Sequence, residues 1–221
     1  NSVYSLQGLK DYGVYKFQKT ISLSEKPAKC IIHVSGDNRY KLYINGTWVS
    51  AGPARGDLYF WNFETLDIAP FLKAGENTIE ALVWNEGKGK SEAQISYATG
   101  FILQADESSQ AMFNTSMDWK VAKNMGVSPL AVRVPGYYVA GAGELQEYAK
   151  GWSTLISAKS LGPGLTKGAS IDARGLMLTP SSIPAMELTA QRFAAIRKGD
   201  GDLIHGKSMT IPANSSVDLW I

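Results

Sequence analysis

The sequence has few of the residues on which several common chemistries depend. Its 221 residues include one cysteine and two histidines. A lone Cys30 excludes an intramolecular disulfide framework and a zinc site built from cysteines. His33 and His205 are the only imidazoles for a metal site or a catalytic dyad. Chemistry of the Ser-His-Asp or Cys-His type is therefore poorly matched by this composition.

The sequence also has little net charge and lacks long apolar runs. Lysine and arginine number 22 against 20 acidic residues, which gives a formal net charge of +2 at pH 7. Nucleic acids and anionic lipid surfaces require a concentrated basic face, so neither is an expected partner. No apolar run reaches the roughly 18 to 20 residues of a membrane-spanning helix.

Short alternating runs are the main pattern that is present. Apolar and polar residues alternate as in half-buried strands within residues 14–23, 29–34, 40–44 and 77–84. Further strands are expected at 99–104, 119–123 and 175–179, and one helix at 187–198. Many short strands with almost no long helix predict an all-β fold, an antiparallel β-sandwich with a few short helices.

Turn chemistry separates these strands. Asn45-Gly46 supplies the positive φ angles of a tight hairpin. Residues 67–75, with Pro70 and Gly75, suit a single helical turn that begins and ends abruptly. Cys30 falls on the inward side of its strand and is expected to be an inert core thiol.

The residues that could carry a function are concentrated in loops at strand ends. Carboxylate, amide and guanidinium groups there could hold sugar hydroxyls or an oxygen-liganded Ca²⁺. A flat platform for the face of a pyranose ring could be formed by Trp48, Tyr59, Trp61 and Trp84, with Glu64 and Glu86 as orienting acceptors. The candidate carbohydrate contacts are Asp37, Asn38, Arg39, Arg55, Asp57, Trp61 and Glu64.

Structural roles compete with each of these assignments. Asp37 and Asn38 could simply close a turn, and Arg55 could pair with a nearby acid. Aromatic residues at strand spacing are usually core residues. Glycoside hydrolysis needs two carboxylates at a defined separation, and a sequence by itself does not show which acids lie at that separation.

Several runs of this sequence resemble the N-terminal part of bacterial α-L-rhamnosidases. They are Asp37-Asn-Arg-Tyr-Lys-Leu-Tyr-Ile-Asn-Gly46, Gly52-Pro-Ala-Arg-Gly-Asp57, and residues 64–75, 77–85, 99–104, 114–119, 138–144 and 178–187. The Tyr-Ile-Asn-Gly strand and the later Asp-Ile-x-Pro-x-Leu segment are also similar to galactose-binding-like jelly rolls. Ser181 stands where the family usually has an arginine.

The resemblance implies an inverting glycoside hydrolase that removes terminal α-L-rhamnose. Such enzymes carry their catalytic carboxylates in a later (α/α)₆ barrel, so no catalytic residue is assigned to this chain. The chain is expected to be a non-catalytic region that either binds a rhamnose-containing carbohydrate or only packs against the missing C-terminal catalytic domain. A small hydrolase using two of its own carboxylates is a third hypothesis.

The remaining expectations concern domains, cofactors and location. Residues 1–105 are expected to form the galactose-binding-like sandwich, 106–205 its continuation or a second β-rich subdomain, and 206–221 the first strand of a following β domain. No cofactor is expected, and a Ca²⁺ ion is left open. A periplasmic or extracellular location is expected for a bacterial enzyme of polysaccharide degradation, although no signal segment precedes the first strand.

Overall fold

The computed structural model describes residues 10–130, 143–159 and 177–184, together with residues 187 and 189 and four short strands nearer the C-terminus. Contacts divide the chain into two compact units, Asn1–Met186 and Glu187–Ile221. Among the described residues, no helix has the length and apolar character needed to cross a membrane.

Six antiparallel strands form the larger sheet of the first unit. They are β1 (Gly13–Leu23), β3 (Arg39–Ile44), β4 (Thr47–Gly52), β6 (Gly75–Asn85), β8 (Lys120–Lys123) and β11 (Ile156–Ser157). Their order across the sheet is β11-β8-β1-β6-β3-β4. β1 and β6 pair along their entire lengths, which makes them the central ribbon of this sheet.

Four strands form the smaller sheet. They are β2 (Ile31–Asp37), β5 (Trp61–Asp67), β7 (Gly100–Ala105) and β12 (Leu178–Pro180), in the order β12-β5-β2-β7. β12 runs parallel to β5, and the other pairs are antiparallel. A separate antiparallel pair joins β9 (Val127–Pro129) to β10 (Glu144–Gln146). Short 3-10 turns occupy Ala69–Phe71, Gly87–Gly89, Ser108–Phe113 and Tyr148–Lys150.

The core lies between the inner faces of these two sheets. In β6, the inward side chains Ile79, Ala81 and Val83 are fully buried, whereas the residues between them are partly exposed. The same alternation runs along β3, as the two-residue period of a strand requires. The fully buried aliphatic residues of the core include Ile32, Val34, Leu42, Ile44, Ile68, Ile79, Val83 and Leu103. The predicted all-β sandwich is therefore confirmed.

An aromatic cluster joins the two sheets inside this core. The ring of Phe101, in β7, lies 5.8 Å from Phe17, 6.1 Å from Tyr40 and 5.6 Å from Trp119, measured between centroids. Trp119 is almost completely buried, and its indole N–H donates to the carbonyl of Asn114 at 2.9 Å. These tilted and edge contacts add to the area that the rings bury.

The local turn predictions are confirmed. Asn45 and Gly46 have φ angles of 50° and 78° and connect β3 to β4 as a two-residue hairpin. The expected helical turn is the 3-10 turn Ala69–Phe71, with Pro70 in its first turn.

Cys30 is fully buried, and burial, with a smaller effect of Asp67, raises the pKa of its thiol to about 11.

Five described strands of the first unit were not predicted from the sequence: β4, β5 and the short strands β9, β10 and β11. β4 and β5 flank the segment 53–60, where glycine, proline and aromatic residues obscure the alternation. The predicted strand at 175–179 is observed as Leu178–Pro180. The predicted helix at 187–198 falls almost entirely outside the described residues.

Strands from beyond residue 105 complete the two sheets of the first unit, since β8 and β11 extend the larger sheet and β12 extends the smaller one. In the second unit, β13 (Lys198–Gly199) pairs with β16 (Leu219–Trp220), and β14 (Ile204–His205) pairs with β15 (Ser208–Met209). The domain boundaries expected at 105/106 and 205/206 stay predictions.

Candidate functional site

Asp37, at the end of β2, is the most heavily hydrogen-bonded carboxylate described. It is 2% exposed. Its donors are Asn38 Nδ2 at 2.8 Å, Ser96 Oγ at 2.8 Å, Tyr97 N at 2.6 Å and Ala98 N at 2.8 Å. Burial raises the pKa of this carboxyl, and the four donors act in the opposite direction. The carboxylate therefore holds the chain around residues 96–98.

Asn38 and Asn85 extend this buried network. Asn38 Oδ1 accepts the backbone N–H of Glu86 at 2.9 Å, and Asn85 Nδ2 donates to Ser96 Oγ at 2.9 Å. Both asparagines are fully buried. Polar groups buried in this way are stable only when paired, so the network fixes the loop of residues 86–99 against the end of the sandwich.

Glu64, in β5, is hydrogen-bonded to a second loop, the one that contains Ala54. Its Oε2 accepts the Tyr40 hydroxyl at 2.8 Å, and its Oε1 accepts the Ala54 backbone N–H at 3.0 Å. A Cβ at Gly52 would overlap this carboxylate, so a larger residue there would displace the Glu64 side chain from its present position. Burial raises the pKa of the Glu64 carboxyl despite these hydrogen bonds.

The loop of residues 53–60, which we call the Arg55 loop, connects β4 to β5. Asp57 Oδ1 accepts the backbone N–H groups of Tyr59 at 2.7 Å and Phe60 at 3.0 Å, which closes an Asx-type turn. A Cβ at Gly56 would overlap the Phe60 carbonyl oxygen. The turn is thus held by the Asp57 side chain, and the close backbone approach leaves no room for a Cβ at Gly56.

Three further hydrogen bonds fix the same loop. Asn62 Nδ2 donates to the carbonyls of Ala54 at 3.3 Å and Arg55 at 3.0 Å. Arg55 Nη2 donates to Ser91 Oγ at 3.3 Å, which joins this loop to the loop of residues 86–99. The two loops therefore meet at one end of the sandwich.

The tip of the Arg55 loop presents a mixed aromatic and charged surface. Tyr59 is 47% exposed and Phe60 is 65% exposed. Arg55 and Asp57 are also exposed. Aromatic rings can cover the apolar face of a sugar, and charged groups can hydrogen-bond to its hydroxyls. This is the arrangement of described side chains that best fits a small polar ligand with apolar faces.

The structure brings together only some of the seven predicted carbohydrate contacts. Arg55 and Asp57 share the exposed loop. Asp37 and Asn38 are buried in their own network, and the half-buried Glu64 holds the base of the loop.

The other two lie elsewhere. Trp61 is only 3% exposed, and its buried indole N–H finds no hydrogen-bond acceptor among the described residues. Arg39 begins β3 on the outer side of the larger sheet, but its charge acts on the Glu64 carboxyl and lowers its pKa, against the larger effect of burial. The assignment of the seven residues to carbohydrate stays a prediction.

Phe60 is a residue of the loop tip that the sequence did not indicate. It lies in the run Leu58-Tyr59-Phe60-Trp61, which looks like core by composition. The Asx turn at Asp57 is the available signal, because it turns the chain outward before Trp61 enters the core.

Acidic residues do not gather into a metal site in the part of the chain that the structure describes. No group of three or more histidine, cysteine, aspartate or glutamate side chains comes together there. The Ca²⁺ ion that the sequence left open therefore stays an untested option.

Comparison with known proteins gives matches among solved structures only. No model of a protein family matches this sequence, and no curated protein matches it. The fold is similar to the GH78 family rhamnosidase of Bacillus sp. GL1, with a TM-score of 0.61 and 20% identity over 79% of this chain and 19% of that enzyme. At this identity the likeness shows a shared fold.

Two other similar structures give lower scores. An α-L-rhamnosidase from Dictyoglomus thermophilum gives a TM-score of 0.48 and 18% identity over 66% of this chain and 18% of that chain. The apo lectin of Pleurotus ostreatus gives 0.35 and 17% identity over 72% of this chain and 42% of that chain. The chain thus spans about a fifth of the length of each of these rhamnosidases.

Proposed function

We propose that this chain is a non-catalytic β-sandwich region of a larger, bacterial α-L-rhamnosidase-like glycoside hydrolase. The fold it shares with one fifth of a GH78 rhamnosidase supports this, together with the sequence motifs that resemble such enzymes. The parent enzyme would hydrolyse terminal α-L-rhamnose with inversion, outside the cytoplasm, using carboxylates that lie in another domain.

The hydrogen bonding of two carboxylates, the buried Asp37 and the half-buried Glu64, argues against a catalytic role for them. Asp37 accepts four hydrogen bonds from the chain itself, and Glu64 accepts one at each oxygen. A catalytic acid or base must reach the glycosidic oxygen or a water molecule beside it. The hydrogen bonds of these two carboxyl groups go to the chain itself and hold its loops in place.

We propose further that the region binds carbohydrate at the tip of the Arg55 loop. The observation that carries this is the exposure of two neighbouring aromatic rings, Tyr59 and Phe60, on a loop fixed at both ends. A loop that is already ordered loses little conformational entropy on binding. The exposed Arg55 and Asp57 would orient the sugar hydroxyls.

The alternative is a purely architectural role, and it also has an observation in its favour. The outer side of the smaller sheet has a shallow cleft of about 260 Å³ that includes His33, Phe63, Ile102 and Leu178. Ile102 and Leu178 are 39% and 43% exposed. Such a surface would suit contact with another domain of the parent protein.

Titration calorimetry with L-rhamnose and a rhamnose-containing oligosaccharide separates the two roles. We expect weak binding, with a Kd of about 1 mM, equivalent to about −4 kcal/mol. The double variant Tyr59→Ala, Phe60→Ala should abolish it, whereas Tyr148→Ala, at a residue 85% exposed elsewhere, should not. Repeating the titration with Ca²⁺ and with a chelator tests for a metal contribution.

The outcomes are distinct. Sugar binding that the double variant retains would refute the loop site, and absence of binding would leave the architectural role. Release of nitrophenol from an aryl α-L-rhamnoside by the purified chain, in proportion to its concentration, would instead refute the non-catalytic assignment.

A further inference from the structure

Strand register aligns side chains on the outer side of the larger sheet into rows. Three rows cross β1, β6 and β3: Val14, Trp84 and Arg39; Lys16, Leu82 and Lys41; and Gln18, Glu80 and Tyr43. The residues between them point into the core, as the burial pattern of β6 shows. The rows are two residues apart along each strand, or about 7 Å.

This surface, which we call the basic-aromatic face, is predominantly cationic. Its cations are Lys16, Arg39, Lys41 and Lys120. Lys120 belongs to β8 and lies opposite Gln18 of β1. In the described part of the sheet, two carboxylates share this side: Glu80, whose Oε2 lies 3.8 Å from Lys16 Nζ, and Glu76 at the far end of β6. Arg39 also interacts electrostatically with the Glu64 carboxylate. Cations still outnumber carboxylates on this side, so the middle of the face keeps a positive potential.

Aromatic rings lie among these cations. Tyr43 is opposite Trp48 in the β3–β4 register. Lys41 Nζ lies 5.5 Å from the centroid of the Trp48 ring, and Lys16 Nζ lies 4.8 Å from that of Trp152. Trp48 and Trp152 are 41% and 38% exposed. Cation–π contacts of this kind hold the ammonium groups near the rings without neutralising them.

Rings and cations along one side of a sheet suit an extended ligand that also has both features. Aromatic side chains cover the apolar faces of sugar rings, and ammonium and guanidinium groups pair with carboxylates. We infer that the basic-aromatic face binds a glycan chain that carries carboxylates, that is, a chain containing uronate units. This inference goes beyond the proposed function, because it uses none of the residues of the Arg55 loop.

Single-stranded nucleic acid is the competing polyanion, since it too stacks on aromatic residues in a basic groove. A whole-chain net charge of only +2 favours the glycan, because nucleic-acid affinity depends on neutralising many phosphates. Oligothymidylate as a second probe distinguishes the two ligands.

Affinity electrophoresis of the whole chain in native gels tests the inference, with polygalacturonate as probe and neutral dextran as the uncharged control. We expect polygalacturonate to retard the protein at low salt and less at high salt, and dextran to have no effect. The double variant Lys16→Ala, Lys41→Ala should weaken retardation about tenfold, which corresponds to about 1.4 kcal/mol. Trp84→Ala should weaken it by a similar factor through lost stacking.

The matched control is Lys26→Ala, Lys73→Ala, which removes the same charge from exposed lysines outside this face. It should retain the wild-type retardation. Thermal unfolding of each variant checks that the fold persists, and Lys41→Gln provides a milder change. Any of three results would overturn the inference. They are an equal loss of retardation in the control variant, equal retardation by dextran sulfate or by oligothymidylate, and no retardation by polygalacturonate.

L-Rhamnose titration of the same protein samples keeps this result separate from the proposed function. If the chain binds rhamnose but not polygalacturonate, only the inference about the basic-aromatic face is refuted. If it binds polygalacturonate but not rhamnose, only the proposed site at the Arg55 loop is refuted.

Discussion

The Tyr40 hydroxyl donates a hydrogen bond of 2.8 Å to the Glu64 carboxylate, and this bond joins the two sheets of the sandwich. Tyr40 belongs to β3 in the larger sheet, and Glu64 belongs to β5 in the smaller sheet. The second oxygen of the same carboxylate accepts the Ala54 N–H at the start of the Arg55 loop. One half-buried carboxylate therefore couples sheet packing to the shape of the candidate site.

Replacing Tyr40 with phenylalanine should destabilise the fold without opening a large cavity. The change removes one donor to a half-buried carboxylate, and leaving such a group unpaired costs about 1 to 3 kcal/mol. Urea unfolding should show a lower midpoint with an unchanged slope. Tyr148→Phe, at a highly exposed tyrosine, is the matched control and should leave the midpoint unchanged. Equal midpoints for Tyr40→Phe and wild type would show that this bond contributes little.

The pH dependence of stability should reveal the buried state of Glu64. Burial raises the pKa of this carboxyl above its ordinary value of 4.5, so the folded chain holds the proton more readily than the unfolded chain. The stabilisation from that proton is fully present below the ordinary value and is lost as pH rises through the raised value. Burial of Asp37 acts in the same direction.

Glu64→Gln isolates this contribution because glutamine does not titrate. The free energy of unfolding of wild type minus that of the variant should fall as pH rises above about 4.5. Urea titrations at a series of pH values measure this difference. If the difference rises with pH instead, the pKa of Glu64 is lower in the folded chain than in the unfolded chain, and the expected direction is wrong.

Asp37→Asn should be among the more damaging polar substitutions. Asparagine keeps one acceptor oxygen but replaces the other with an amide that would face donors such as Tyr97 N and Ala98 N. Each buried donor left unpaired costs about 1 to 3 kcal/mol, so we expect at least one such loss in the free energy of unfolding. Asp11→Asn, at an exposed aspartate, is the control. A variant as stable as the control would contradict the anchoring role of Asp37.

Gly56→Ala should distort the Arg55 loop while leaving the core intact. The new Cβ would overlap the Phe60 carbonyl, so the backbone around the exposed rings must move. We expect L-rhamnose affinity to fall about tenfold, or about 1.4 kcal/mol, by calorimetry.

Gly46→Ala is the control for this loop. Its Cβ meets nothing within 4 Å, although its φ of +78° costs about 1 to 2 kcal/mol of stability. It should keep the wild-type affinity, and a comparable loss in both variants would point to a global effect.

Much of the fold could be predicted because local patterns and tertiary structure agree. The alternation in β6, the Asn45-Gly46 hairpin and the inward Cys30 each follow from the residues themselves. β5 was missed because its buried residue Trp61 follows three other apolar residues, which conceals where the strand begins.

The candidate site was less accessible from the sequence. Asp37 and Asn38 have the residue types of a sugar contact, but their side chains are enclosed by residues 85–98, which lie far along the chain. Which side of a turn a polar residue faces depends on these long-range contacts. The rows of side chains on the outer side of the larger sheet could not be predicted either, because they depend on the register between strands, which a single sequence does not show.

The most direct test of the carbohydrate site is an amide ¹H–¹⁵N spectrum of the chain recorded during addition of L-rhamnose. If the Arg55 loop binds the sugar, shifts should concentrate in residues 53–60 and in the loop of residues 86–99 that Arg55 contacts through Ser91. An unchanged spectrum, or shifts confined to other parts of the sandwich, would contradict a carbohydrate site at this end of the molecule.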